Sequence, residues 1–315
     1  MSEKKKVTCA VVPAAGRGTR FLPATKAIPK EMLILVDKPA IQYVAEEATD
    51  AGITDFLIIT SSSKHAIEDH FDACPELETA LVNSGKTAEL AAINSYQQLA
   101  RMHTVRQGHP KGLGHAVLQA KTHVGDNPFA VMLPDDLMHP EDPLLKKMIA
   151  VQEKLGGSVV ALLEVTPEQA TAYGSADVSV VDLAELELDT IPGICEGDVY
   201  KLNDVVEKPA LEDVLSNYAA VGRYVFDPKI FEILETLPAG RGGEIQLTDA
   251  FRALIDVPVT EGGGVYGLVV KGRRFDTGDK FGYLQAQVEL GLEHPVYQAD
   301  FRAYLEEKLA SLNEH

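Results

Sequence analysis

Six apolar runs recur along the chain: Val7–Val12, Phe56–Thr60, Phe129–Leu133, Ser158–Val165, Ala219–Phe226 and Val265–Val270. Between many of them lie helix-like stretches, at Ala40–Ala51, Thr87–Arg101, His115–His123 and Pro143–Leu155. This alternation predicts an α/β fold with an open, mainly parallel sheet flanked by helices. In such sheets ligands sit beyond the carboxyl ends of the strands, so residues that follow each run are the first candidates for function. The stretch Val178–Tyr200 is different: it is acidic, with Pro192 and Gly193 at its middle, and reads as an exposed hairpin or small β excursion. From Asp279 onward the pattern is helical, with Phe301, Tyr304, Leu305, Leu309 and Leu312 on one face. A chain of 315 residues therefore divides into a main domain, 1–278, and a C-terminal helical tail, 279–315, whose apolar face either packs on the parent domain or meets another subunit.

The N-terminus, MSEKKK, leads straight into VTCAVV without a signal-peptide pattern, and no window is apolar enough for a membrane span. A cytoplasmic setting is expected. Cys9, Cys74 and Cys195 are scattered with no C-x-x-C, and the histidines show no metal spacing, which argues against a structural zinc. The net charge of -18 disfavours nucleic-acid binding. It also means that an anionic ligand needs a local basic pocket against the global field.

Such a pocket is legible just after the first run, in Val11–Leu33. Ala14, Ala15, Gly16 and Gly18 carry little side-chain bulk, so backbone N–H groups can approach a phosphate. Arg20, Lys26 and Lys30 follow, stiffened by Pro23 and Pro29. The loop is neither a G-x-x-x-x-G-K-[ST] phosphate loop nor a G-x-G-x-x-G dinucleotide fingerprint, because Phe21 stands at the third glycine position. Four further groups carry chemistry. Asp135 and Asp136 end an apolar run, and hard oxygens there suit Mg²⁺. Asp276, in RRFDTGD, follows another run and is a natural second carboxylate. Glu207 and Lys208, in VVEKP, can meet sugar hydroxyls and a phosphate. Gln107 and Gly112 belong to a glycine-rich turn into a helix whose N–H groups can meet an anion or a base edge; His115, just beyond, reads as packing or capping. No nucleophile motif accompanies them, so the inventory suits in-line transfer at phosphorus, where positioning and charge stabilisation dominate.

Together the blocks AAGRGTRFLPATKAIPKEML, RQGHPKGLGHAVL, LPDD, VVEKP, VGRYVF and RRFDTGD resemble the nucleotidyltransferase family that makes sugar nucleotides, in particular its bacterial members that use UTP and glucose 1-phosphate. The resemblance runs to about Gly282. It implies a Rossmann-like sheet, dependence on Mg²⁺, and attack of glucose 1-phosphate on the α-phosphorus of UTP to give UDP-glucose and pyrophosphate. By the same resemblance Ala14, Ala15 and Gly16 would line the nucleotide, Glu31 would accept from uracil N3–H, and Gln107 and Gly112 would read the base edge. Arg20 would hold the leaving pyrophosphate and Lys30 the reacting phosphates. Asp135 and Asp276 would hold Mg²⁺, with Asp136 the competing ligand. Glu207 and Gly174 would contact the sugar, and Lys208 its phosphate. Lys26 either joins the phosphate site or neutralises Glu31. The family assembles as dimers or tetramers, so a homo-oligomer is expected. Three rival readings remain: a dTTP-using enzyme, a non-catalytic sugar-nucleotide-binding subunit, and a dehydrogenase, the last weakened by the missing glycine.

Overall fold

The computed structural model describes residues 5–97 and 99–313. Among them, nine strands form one sheet: β1 (Cys9–Pro13), β2 (Asp55–Thr60), β3 (Arg101–Arg106), β4 (Phe129–Met132), β5 (Ser158–Glu164), β6 (Gly174–Val180), β7 (Val199–Glu207), β8 (Tyr218–Phe226) and β9 (Val265–Val269). Their spatial order is β3-β2-β1-β4-β8-β5-β9-β7-β6, and β6 also pairs with β8. Each face carries its own core. Val12, Phe56, Ile58 and Met132 pack on one side, and Val11, Leu57, Phe129 and Val131 on the other, as the two-residue period of a strand requires. Helix Ala40–Asp50 covers the first side with Ile41, Val44, Ala45 and Ala48 at helical spacing. Helix Leu247–Ile255 covers the second with Leu247, Ala250, Phe251 and Leu254.

The sheet is mixed rather than mainly parallel. Parallel pairing joins β3, β2, β1 and β4, and again β5 and β9. Antiparallel pairing joins β4 to β8, β8 to β5, β9 to β7, and β7 to β6. The cause is local. A parallel return needs a crossover of a dozen or more residues, usually a helix. Between Glu164 and Tyr218 the described residues offer the four-residue helix Pro167–Ala170 and two short 3-10 turns.

Three smaller expectations also shift. The stretch predicted as helix over Thr87–Arg101 ends at Gln97, and Arg101 opens the edge strand β3. His115–His123 breaks into the short helices Leu113–Leu118 and Lys121–Val124. The acidic excursion is a hairpin between β6 and β7, yet it is not simply exposed: Leu183, Leu188 and Ile194 are buried in the main core. In the tail, Asp279 caps helix Lys280–Glu293, accepting from the N–H groups of Phe281 and Gly282 at 2.9 and 3.2 Å. Tyr283 and Gln287 then donate to the Ile34 carbonyl, tying that helix to the segment after the opening loop. In helix Gln298–Asn313, Phe301 packs against Gly291, whereas Tyr304, Leu309 and Leu312 are exposed. Among the described residues, no helix is long and apolar enough to cross a membrane.

Candidate active site

β1 runs out at Pro13, and the chain turns across the carboxyl edge of the sheet. Gly18 has φ 63, and its carbonyl accepts from Thr25 Oγ1 at 2.6 Å, which folds the loop back on itself. A Cβ at Gly18 would lie 3.2 Å from Lys30 Cβ, so glycine there permits both the turn and the approach of Lys30. Ala15, Gly16, Lys26 and Lys30 line one side of an open depression, and Ser61–Lys64 and Gly108 line the other. The latter residues follow β2 and β3, so three neighbouring strands deliver this basic, glycine-rich wall.

Lys30 also marks the border with a second cavity, of about 400 Å³. Its ammonium forms an ion pair with Asp135, which follows β4. Burial alone would raise the Asp135 carboxyl, but Lys30 beside it, reinforced by Arg20, holds it below its ordinary value. Next to it lies Asp276. A two-stranded ribbon, Asp136–Met138 against Arg274–Asp276, aligns Asp276 with Asp136 and so brings the RRFDTGD block to the end of β4. A Cβ on Gly278 would come within 2.7 Å of Asp135 Oδ2 and 3.0 Å of Asp276 Oδ1; the two carboxylates converge over a bare glycine. Burial, with the charges of Asp135 and Asp136, pushes Asp276 up, and Arg274 offsets part of that. Two converging hard-oxygen donors, one of them pushed up by its acidic neighbours, fit a divalent cation. Asp136 already has partners of its own. Arg274 clamps it with Nε and Nη2 at 2.6 and 3.1 Å, and the Gly222 N–H donates to it at 2.7 Å.

Across the cavity stand Gly174, Glu207 and Lys208, with Arg20 on the rim, where its guanidinium reaches the Gly278 carbonyl at 3.4 Å. Glu207 ends β7. Thr248 Oγ1 donates to its Oε2 at 2.6 Å, and the Lys208 ammonium lies 3.2 Å from its Oε1. Gly174 opens β6 opposite Glu207, and a Cβ there would press on Thr248 at 3.3 Å. Lys208 has φ 45, uncommon for a residue with a side chain, and its N–H is held by the Tyr173 carbonyl at 2.8 Å.

Three residues expected to touch a nucleotide are buried. Ala14 is fully buried and gives its N–H to Ile59. Gln107 is buried, with its amide nitrogen 3.1 Å from both the Gly112 carbonyl, to which it donates, and His115 Nδ1. Glu31 is 1 % exposed and takes an ion pair from Lys64 at 2.6 Å. Burial dominates this pair, raising the Glu31 carboxyl and lowering the Lys64 ammonium. Lys26 faces the depression, so Lys64, not Lys26, neutralises Glu31. Gly112 has φ 103, and a Cβ there would collide with the Ile245 carbonyl at 2.6 Å. Lys64, Thr248 and Arg274 escaped the sequence reading. Lys64 could have been found, because it follows the run Phe56–Thr60 onto the ligand edge; Thr248 and Arg274 act through partners 41 and 138 positions away.

The carboxyl edge thus sets a basic glycine loop against two converging carboxylates, with an ion-paired Glu–Lys across the cleft. The family profile for nucleotidyl transferases matches residues 9–291. A UTP–glucose-1-phosphate uridylyltransferase of Bacillus subtilis is 46% identical over 304 residues, covering 96% of both chains. One from Streptococcus pneumoniae is 45% identical, covering 95% of both. UDP-glucose pyrophosphorylase from Acinetobacter baumannii superposes with a TM-score of 0.83 at 40% identity, over 97% of this chain and 99% of that one. A UDP-glucose pyrophosphorylase complexed with UDP-glucose gives 0.74 at 39% identity, over 89% and 97%. The chain belongs to the nucleotidyl transferase family and, within it, to the bacterial UTP–glucose-1-phosphate uridylyltransferases.

Proposed function

We propose that this chain transfers a uridylyl group from UTP to glucose 1-phosphate, releasing pyrophosphate and UDP-glucose. The observation that carries the reading is the convergence of Arg20, Lys30, Asp135, Asp276, Glu207 and Lys208 on one edge of the sheet. Similarity over nearly the whole chain to uridylyltransferases supports uracil and glucose as the two ends of the product. A phosphate oxygen of glucose 1-phosphate attacks the α-phosphorus, and the bond to pyrophosphate breaks on the opposite side. Arg20 and Lys30 take up charge on the departing and reacting phosphates. Lys208 meets the sugar phosphate, while Glu207, oriented by Thr248, accepts sugar hydroxyls with Gly174 beside it. Ala15, Gly16 and Gly112 line the nucleotide; Glu31 and Gln107 act from beneath, through Lys64 and through the Gly112 turn. Asp135 and Asp276 would hold Mg²⁺, which supplies the positive charge that lets two phosphate anions come together. The tail, residues 279–315, carries the exposed Tyr304, Leu309 and Leu312 and is the surface for a homodimer or homotetramer; light scattering of a chain ending at Glu293 tests that.

The direct test is pyrophosphate release from UTP and from dTTP, each with glucose 1-phosphate and Mg²⁺, with and without EDTA. Fast, EDTA-sensitive release favouring UTP is expected. Preference for dTTP would keep the site and overturn the base assignment. UDP-glucose binding without release would overturn the enzyme reading in favour of a binding subunit.

A further inference from the structure

The opposite, amino edge of the same sheet gathers a second set of metal-binding groups. Cys9 opens β1 and Asp55 opens β2, and the two are partners in the parallel register. His103 lies on β3 opposite Leu57, two residues beyond Asp55 and so on the same face. His123, in the short helix Lys121–Val124, comes down on that face. One ligand atom each from Cys9, Asp55 and His123 lies within 4.8 Å of the other two. His123 Nε2 is 2.8 Å from Asp55 Oδ2, His103 Nε2 is 3.6 Å from Asp55 Oδ1, and the imidazole centroids are 4.8 Å apart. Asp55 Oδ1 is buried without a hydrogen-bond partner among the described residues. That one oxygen, 3.6 Å from His103 Nε2 and beyond hydrogen-bond reach of it, is an acceptor left over beside two imidazoles and a thiol, although the Asp55 side chain as a whole is 31% exposed.

We propose that Cys9, Asp55, His103 and His123 form a tetrahedral site for a borderline-soft divalent cation, Zn²⁺ above all. One thiolate, one carboxylate and two imidazoles are ordinary zinc donors. Zinc–ligand bonds of about 2.0–2.3 Å place tetrahedral donors about 3.3–3.6 Å apart, so movements of about an ångström close Cys9, Asp55 and His123, and His103, with Nε2 3.6 Å from Asp55 Oδ1, turns in as the fourth donor. Spacing along the chain conceals this site, because the four residues come from three strands and a helix; the register of the sheet does the gathering. Burial, with Asp55 nearby, pushes the Cys9 thiol up to about 12, so without metal it is a protonated, inert thiol. Binding breaks the Cys9 S–H bond, forms the sulfur–metal bond and sends one proton to solvent. His123 binds as the neutral imidazole, its proton moving from Nε2 to Nδ1. From Cys9 to Ala14 the strand rises roughly 16 Å, so this site is separate from the transfer site.

The test uses full-length protein stripped of metal, titrated with Co²⁺ and then competed with Zn²⁺. Expected are one equivalent bound with a thiolate-to-cobalt charge-transfer band and a tetrahedral ligand-field spectrum, displacement by Zn²⁺, and release of a proton. The band identifies the site, because the Asp135–Asp276 pair contains no sulfur. Cys9→Ser should abolish the band and weaken Zn²⁺ binding at least about tenfold, and His123→Gln and His103→Gln should each weaken it about tenfold or more. Pyrophosphate release with Mg²⁺ should be unchanged in all three, which also reports that they fold. Absence of the band in wild-type protein, or a band that persists in Cys9→Ser, would overturn the proposal. Zn²⁺ affinity unchanged in both histidine variants would do the same.

Discussion

The two edges of one sheet gather charge differently. At the carboxyl edge, charged groups are paired yet stay within reach of a ligand: Lys30 holds Asp135, Lys208 sits beside Glu207, Asp276 is crowded by Asp135 and Asp136, and Arg20 lies exposed on the rim. Glycines at 18, 112, 174, 222 and 278 bring backbone and side chains closer than a Cβ would allow without displacing its neighbours. At the amino edge the glycines serve the backbone instead: a Cβ on Gly157 would meet the Gly263 carbonyl and one on Gly263 the Val257 carbonyl, while strand register brings Cys9, Asp55 and His103 to one face. Glycines 222 and 278 at the carboxyl edge bring the Asp136 and Asp135 side chains close, whereas glycines 157 and 263 at the amino edge close backbone on backbone.

The largest effect should come from the carboxyl edge. Lys30→Met removes the charge beside Asp135 and should lower turnover by about 10²–10³ with little loss of stability, read by initial rates and a urea midpoint. Cys9→Ser, at the other edge, should leave that rate in place; a comparable loss there would erase the distinction between the edges. Second, Arg274→Met leaves the Asp136 carboxylate buried and unpaired, and should cost about 3–5 kcal/mol in urea unfolding. A negligible change would mean that Asp136 is not a structural carboxylate. Third, Gly112→Ala forces a Cβ against the Ile245 carbonyl at φ 103, and should cost about 1–3 kcal/mol while raising KM for UTP.

The smallest effect is a pH dependence. Burial, with Lys111 nearby, lowers the His115 imidazole below its ordinary value. The unfolded chain therefore binds a proton more readily, so this contribution is present above about pH 6.5 and is lost as the pH falls through the folded value. His115→Gln should flatten the acid side of the urea-midpoint profile. A profile unchanged by the substitution would remove His115 from the edge's stability.

What could be read from the sequence follows from the same contrast. Strands with continuous apolar runs were legible, because burial on both faces leaves a strong signal. β3, with the sequence RMHTVR, was not, because an edge strand half open to water looks like loop or helix end. The loop carrying Arg20 and Lys30 was legible because glycines and cations cluster locally. The choice between Asp135 and Asp136 was not: adjacent residues differ only in which way the ribbon with Arg274–Asp276 turns them. Glu31 looked available to a base because its buried partner, Lys64, lies 33 positions away. The amino-edge cluster was invisible for the same reason. Four residues spread from Cys9 to His123 become neighbours only once the strands are paired.

The most direct measurement is the rate of pyrophosphate release by Asp135→Asn and Asp136→Asn, side by side with Asp276→Asn, at saturating UTP, glucose 1-phosphate and Mg²⁺. If Asp135 and Asp276 form the working pair and Asp136 is structural, the first and third variants lose at least about 10²-fold while folded. Asp136→Asn then turns over near the wild-type rate at temperatures where it remains folded. A collapse confined to Asp136→Asn, with Asp135→Asn active, would contradict the site as described.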